Sequence, residues 1–154
     1  NFMNRTGVRT FEAAAYLRRC GADITRVRKM FRDDIESYRA KAEAVRMAEV
    51  YRKQYAIAQC PGDIDSPTVL AAQAANELLD ISGIKASFVL TIYEGKIYMS
   101  ARSIDEVNVQ IIAEKLGGGG HINSAGAQFD HTNMDEAIKT LKQTIDQMIE
   151  EGDI

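Results

Sequence analysis

Four consecutive glycines, Gly117 to Gly120, followed at once by His121, are the segment of this 154-residue chain best suited to chemistry. Glycine loses more backbone entropy on folding than any other residue type. A run of them behind a helical pattern therefore calls for a ligand, and not packing, as its reason. Without Cβ atoms, their N–H groups can close around an anion as phosphate-cradling loops do. If His121–Ser124 begins a short helix ended by Gly126, the positive end of its dipole adds to the attraction. His121 then supplies a side-chain donor to the same anion. Upstream, Arg102 can offer a two-pronged guanidinium to the same oxyanion. Taken singly, each has a plainer reading, His121 as an ordinary loop residue and Arg102 as half of a surface ion pair.

Other candidates are weaker. Asp63 and Asp65 stand beside Pro61, Gly62 and Ser66, a composition that favours turn and cap chemistry over metal binding. His131, within Asp130-His131-Thr132-Asn133, reads as an exposed loop residue. A catalytic metal needs several convergent His or carboxylate ligands, and no such cluster surrounds the two histidines. The chain has no G-x-S-x-G elbow, P-loop lysine or HExxH helix. Cys20 and Cys60 lack CxxC spacing and read as the reduced thiols of a cytosolic protein. The expectation is a binding site with no metal ligand and no catalytic residue of its own.

The elements that must position these residues follow from periodicity and punctuation. Thr10 is placed to cap a helix through Ala13, Ala14, Ala15 and Leu17, with Glu12 in its first turn, Arg18 and Arg19 in its last, and Gly21 beyond. A second helix is expected from about Thr25. A third, over 34–48, carries Ile35, Tyr38, Ala42 and Val45 on one stripe and basic residues around it, as an amphipathic connecting helix would. A strand at 54–59 and a helix from Ser66 follow, with Pro67 in the first turn and Ala71, Ala72, Ala74 and Ala75 keeping the helix thin. Lys85–Tyr93 and Lys96–Arg102 read as strands joined at Glu94-Gly95. Alternation in the second strand puts Ile97, Met99 and Ala101 on one side and Tyr98, Ser100 and Arg102 on the other. A helix near 105–116, the glycines, a strand near 127–129 and a last helix over 134–150 complete a mixed α/β domain.

Charge divides the chain unevenly. Residues 1–54 hold 13 Lys+Arg against 7 Asp+Glu and residues 55–154 hold 6 against 15, so the halves carry +6 and −9 within a total of −3. The acidic half cannot draw nucleic acid by its overall field, so an anion site there must be local. No apolar run approaches the roughly 20 residues that span a bilayer, and the N-terminus lacks a signal-peptide profile. Asn1 to Thr10 reads as the interior of a domain, which points to a piece of a longer protein.

Ser100-Ala101-Arg102-Ser103, then Val107-Asn108-Val109-Gln110, then the glycines with His121, then Ala125-Gly126, resemble the DHH-associated C-terminal domain of DHH phosphoesterases. Upstream, Asn1-Phe2, Arg5-Thr6 and Arg9 to Ala14 resemble the stretch behind the last metal-binding aspartate in bacterial cyclic-di-AMP phosphodiesterases of the GdpP type. The resemblance implies an α/β (α+β) fold, a mixed sheet with flanking helices, in three parts. Residues 1–33 would be the helical end of the DHH catalytic domain, 34–52 a linker helix, and 53–154 the substrate-binding domain. It implies an enzyme that hydrolyses cyclic-di-AMP to pApA with two manganese ions, held by aspartates and histidines of a DHH lobe that this sequence does not contain. Arg102, Ser103, Gly117, Gly118, Gly119, Gly120 and His121 match the substrate-binding motif, with Arg5, Thr6 and Asn123 as further candidates. The implied partners are the nucleotide, the DHH lobe and a second copy in a homodimer. The implied location is cytoplasmic, as the cytosolic part of a membrane-anchored protein, without direct membrane contact by this segment.

Two other readings stay open at this level. An oligoribonuclease or pAp phosphatase of the same superfamily would share every binding residue. A non-catalytic RNA-binding or oligomerising domain, of the kind alanyl-tRNA synthetases carry, would be expected to have a more basic lobe than this one.

Overall fold

Small side chains decide how the second half of the chain closes. The computed structural model describes residues 6–154, which fall into two units, one up to Asp34 and one over Ile35–Ile154. In the first unit, α1 (Val8–Arg19) begins at Gly7 and not at Thr10, which lies inside the first turn with its N–H donating to the Gly7 carbonyl. Glu12 accordingly falls beyond that turn. The helix stops as expected at Gly21, whose φ of +93° suits the left-handed end, with Ala22 N–H returning to the Leu17 carbonyl. Helix α2 (Ile24–Met30) is capped by Asp23, whose carboxylate accepts from the N–H groups of Thr25 and Arg26.

In the second unit, α3 (Ile35–Arg46) leads into β1 (Glu49–Tyr51) and β2 (Tyr55–Cys60), then α4 (Pro67–Leu78), β3 (Ala86–Tyr93), β4 (Lys96–Ser103), α5 (Val109–Lys115), β5 (Gly119–His121), β6 (Ser124–Phe129) and α6 (Met134–Glu151). The six strands form one mixed sheet in the order β1-β2-β3-β4-β6-β5, in which only β2 and β3 run parallel, through the α4 crossover. The expected mixed sheet with flanking helices is therefore the architecture found.

Strand parity sorts two cores. On one face, Ala56, Ala58 and Val89 meet Leu70, Ala71, Ala74, Ala75 and Leu78 of α4, whose alanines allow close approach. On the other, Phe88, Leu90, Met99, Ala101, Ala125 and Ala127 pack under Val109, Ile112 and Ala113 of α5 and Leu141, Ile145 and Met148 of α6. Each fully buried Leu, Ile or Met contributes about 1.5–3 kcal/mol by leaving water. Ser66 stands at the head of α4 but in a left-handed conformation and without a side-chain cap bond.

Helix α3 turns inward a stripe that shares only Val45 with the one its periodicity predicts. Ala44 is buried and Ala40 and Val45 pack against the α4 core, while Ile35 and Tyr38 stay exposed. The strand β1 has no counterpart among the sequence expectations. It pairs with β2 through a turn at Arg52 and Lys53, both at positive φ, and is tied to α6 by Tyr51, whose hydroxyl donates to Asp146 at 2.7 Å. No helix among the described residues is long and apolar enough to cross a membrane.

Candidate nucleotide-binding site

The glycine run has structural causes that its sequence hides. Gly117, at φ +80°, ends α5, with its N–H on the Glu114 carbonyl and that of Gly118 on the Ala113 carbonyl. This is a Schellman closure, which needs a left-handed residue at that point. A Cβ on Gly118 would stand 2.0 Å from the Gly126 carbonyl oxygen, and one on Gly120 2.5 Å from the Ala125 Cα. Packing and backbone conformation thus explain three of the four glycines, contrary to the expectation that packing could not. Gly119 is different, because a Cβ there would meet nothing within 4 Å.

Nor does a helix follow. Gly119–His121 is the edge strand β5, and Ile122-Asn123 turn directly into β6, so the helix expected at His121–Ser124 and its dipole are absent. What the strands provide instead is a register. His121 pairs with Ser124 across β5 and β6, and Ser124 pairs with Arg102 across β6 and β4. Cross-strand partners point to the same face, so Arg102, Ser124 and His121 form one row, with the outer two roughly 9–10 Å apart at their Cα atoms. The adjacent row on that face is Ser100, Gly126 and Gly119, two of whose three members lack side chains. Helix α4 packs on β2, β3 and β4, and α5 on the opposite side of β6 and β5.

The result is a shelf of bare backbone beside a cation, a hydroxyl and an exposed imidazole. Arg102 is half-buried, and its guanidinium reaches back over the strands, with Nη1 donating to the Ala101 carbonyl at 2.8 Å and lying 3.5 Å from that of Ala125. The face assigned to Arg102 from strand alternation is the one it occupies. Ser124 was not foreseen as a site residue. Only the pairing register, which periodicity does not carry, puts it between the other two.

Ser103 and Asn123 face elsewhere. Ser103 is buried on the α5 side, its hydroxyl donating to the Val107 carbonyl at 2.6 Å. Asn123 Nδ2 donates to the Asp105 carboxylate, and its Oδ1 accepts from the Asp105 N–H at 3.3 Å. Both residues tie the β5–β6 turn to the loop before α5. Thr6 lies in a non-helical lead-in to α1, and Arg5 falls outside the described residues. Asp63 and Asp65 occupy the bend before α4, and His131 is an exposed residue at φ +56°. Among the described residues no group of three His, Cys, Asp or Glu could hold a metal ion. Cys60 is buried in the α4 core, which pushes its thiol up to about 11 and makes it inert.

Residues 52–147, which include the whole of this site, match the DHHA1 domain. The chain belongs to the DHHA1 family. Its DHHA1 domain and the helices before it are 44% identical, over 95% of the chain, to the cyclic-di-AMP phosphodiesterase PdeA of Listeria monocytogenes, of which they cover 22%. They are 42% identical, over 99% of the chain, to the cyclic-di-AMP phosphodiesterase GdpP of Bacillus subtilis, of which they cover 24%. The chain thus spans less than a quarter of the length of these relatives. An exopolyphosphatase-related protein from Bacteroides fragilis shares the fold with a TM-score of 0.82 at 21% identity, over 96% of this chain and 45% of that one. The family resemblance carried by Ser100–Ser103, Val107–Gln110 and the glycines is therefore sound.

Proposed function

We propose that this chain is the substrate-holding portion of a metal-dependent phosphodiesterase that opens cyclic-di-AMP to pApA. The observation that carries the reading is the Arg102–Ser124–His121 row beside the side-chain-free positions Gly119 and Gly126. A guanidinium and an imidazole flanking a hydroxyl can grip the oxygens of one phosphate, and the flat backbone beside them leaves room for the attached nucleoside. Identity above 40% to two cyclic-di-AMP phosphodiesterases supports the choice of substrate class.

In this reading Arg102, Ser124 and His121 bind and orient the phosphate, Gly119 and Gly126 admit it, and Ser103 and Asn123 shape the loops behind. Arg5 and Thr6 would be further substrate ligands, as the family resemblance implies. The described residues offer no ligand set for manganese, so no chemical step is assigned to metal within them. The two ions would be held by a DHH lobe preceding this segment, and the exposed apolar residues Phe11, Leu17, Val27, Met30 and Phe31 of α1, α2 and the residue after it would be covered by that lobe. Homodimerisation and a cytosolic place in a membrane-anchored protein belong to the same proposal.

Titration of the full-length protein with cyclic-di-AMP and with a short linear oligoribonucleotide tests it. The expected result is saturable binding of the cyclic dinucleotide, weakened in Arg102→Ala and His121→Ala. Preference for the linear strand would move the protein to the oligoribonuclease reading, and affinity unchanged in both variants would dissolve the site.

A further inference from the structure

His121 ends a weak element. Strand β5 has three residues, two of them glycine, and is paired on one side only, so its own ladder cannot define where the imidazole stands. The turn that follows is held by the end of β4 and by the start of α5. Ser103 N–H donates to the Asn123 carbonyl at 3.2 Å and Val109 N–H to the Ile122 carbonyl at 3.0 Å. The Asn123 side chain then closes a two-point clasp with Asp105, donating to its carboxylate and accepting from its N–H.

Asp105 is held at φ +57°, in the left-handed region. Glycine would occupy that conformation with less strain, but it could not supply the carboxylate that Asp105 offers to Asn123. Among the described residues, the side chain hydrogen-bonded to its carboxylate is that of Asn123, two residues beyond His121.

We propose that Asp105 is a positioning residue for the nucleotide site, which acts through Asn123 to fix the β5–β6 turn and thereby the place of His121 relative to Arg102. The inference rests on the reading of Arg102 and His121 as substrate ligands. It assigns to Asp105 no contact with substrate.

Steady-state kinetics of the full-length protein on cyclic-di-AMP, with variants built singly and in the His121→Ala background, separate the possibilities. Asp105→Gly relieves the backbone and removes the carboxylate half of the clasp, leaving only the N–H to Asn123 Oδ1, so it should keep the melting temperature while KM rises about tenfold and kcat changes less. Asp105→Asn retains an acceptor for Asn123 and should restore the wild-type KM. Asn123→Ala removes both points of the clasp and the contact of the Ser103 hydroxyl with Asn123 Oδ1 at 3.2 Å, and should raise KM at least as far. Without His121, Asp105→Gly should add nothing, since non-additivity marks residues that act through one another. A normal KM in Asp105→Gly or in Asn123→Ala, with His121→Ala impaired, overturns the inference. So does an effect of Asp105→Gly that persists in full without His121. A normal KM in His121→Ala removes the site itself, and the inference with it.

Discussion

Arg102 and His121 stand in one register row of the sheet, two strands apart, with Ser124 between them. The spacing suits a long side chain and a ring closing on one anion from opposite sides, with the short serine below. Geometry of this kind distinguishes a fork from a point charge. Arg102→Lys keeps the charge but loses the paired donors, so it should weaken substrate binding nearly as much as Arg102→Ala, by tenfold or more, equivalent to about 1.4 kcal/mol. Calorimetric titration of both variants checks this, and full affinity in the lysine variant would show that only charge matters there.

The glycines give a prediction in which stability and binding separate. Ala at Gly118 or Gly120 would drive a Cβ to 2.0 Å from the Gly126 oxygen or 2.5 Å from the Ala125 Cα. Each should destabilise the fold by about 2–3 kcal/mol or more, because backbone cannot yield as a side chain can. Ala at Gly119 meets no protein atom within 4 Å. It should leave urea denaturation unchanged or shift it up by as much as about 1 kcal/mol, yet lower affinity for nucleotide by intruding on the shelf. Unchanged affinity in Gly119→Ala would mean that substrate does not lie against β5.

These contrasts mark what the sequence carries and what it does not. The Glu94-Gly95 hairpin was legible because Gly95 announces a positive-φ turn, whereas Arg52-Lys53 makes a positive-φ turn without any such residue and β1 went unseen. Alternation put Arg102 on the right face, since period two survives packing. On α3 periodicity finds Val45 but not the rest of the buried stripe, because the larger Ile35 and Tyr38 outweigh Ala40 and Ala44, which the helix turns inward. The importance of the glycine run was legible, but its causes were not. A Schellman closure and two close strand approaches depend on partners that only the folded register brings near. The same holds for Ser124 and for the Asp105–Asn123 clasp.

Asp146 ties α6 to the β1 hairpin through two donors, the Tyr51 hydroxyl at 2.7 Å and Arg52 Nε at 2.9 Å. Those hydrogen bonds, with Arg52 first, hold its carboxyl below the usual range. A carboxyl depressed in the folded state adds stability that is present above its unfolded pKa, near 3.9, and is lost as pH falls through the folded value. Asp146→Asn should therefore be less stable than the parent at pH 7, by no more than about 1 kcal/mol for so accessible a pair. The gap should close in acid. Denaturant midpoints of the two proteins at pH 7 and near pH 3 measure it, and a gap that widens in acid would contradict the assignment.

The last prediction concerns what this segment does alone. In the proposed reading its ligating groups are one guanidinium, one serine hydroxyl, one imidazole and backbone, which would hold a phosphate while metal-activated water, generated elsewhere, displaces the ester oxygen. No set of three metal-ligating side chains is present among the described residues to activate that water. The 154-residue chain should accordingly show no hydrolysis of cyclic-di-AMP when manganese is added. Residual binding should be weaker than in the full-length protein, because only one side of the substrate is held. Chromatographic detection of pApA after long incubation is the measurement, with a His121→Ala chain as control. Metal-dependent product that vanishes in that control would relocate the cutting chemistry to the shelf between Arg102 and His121.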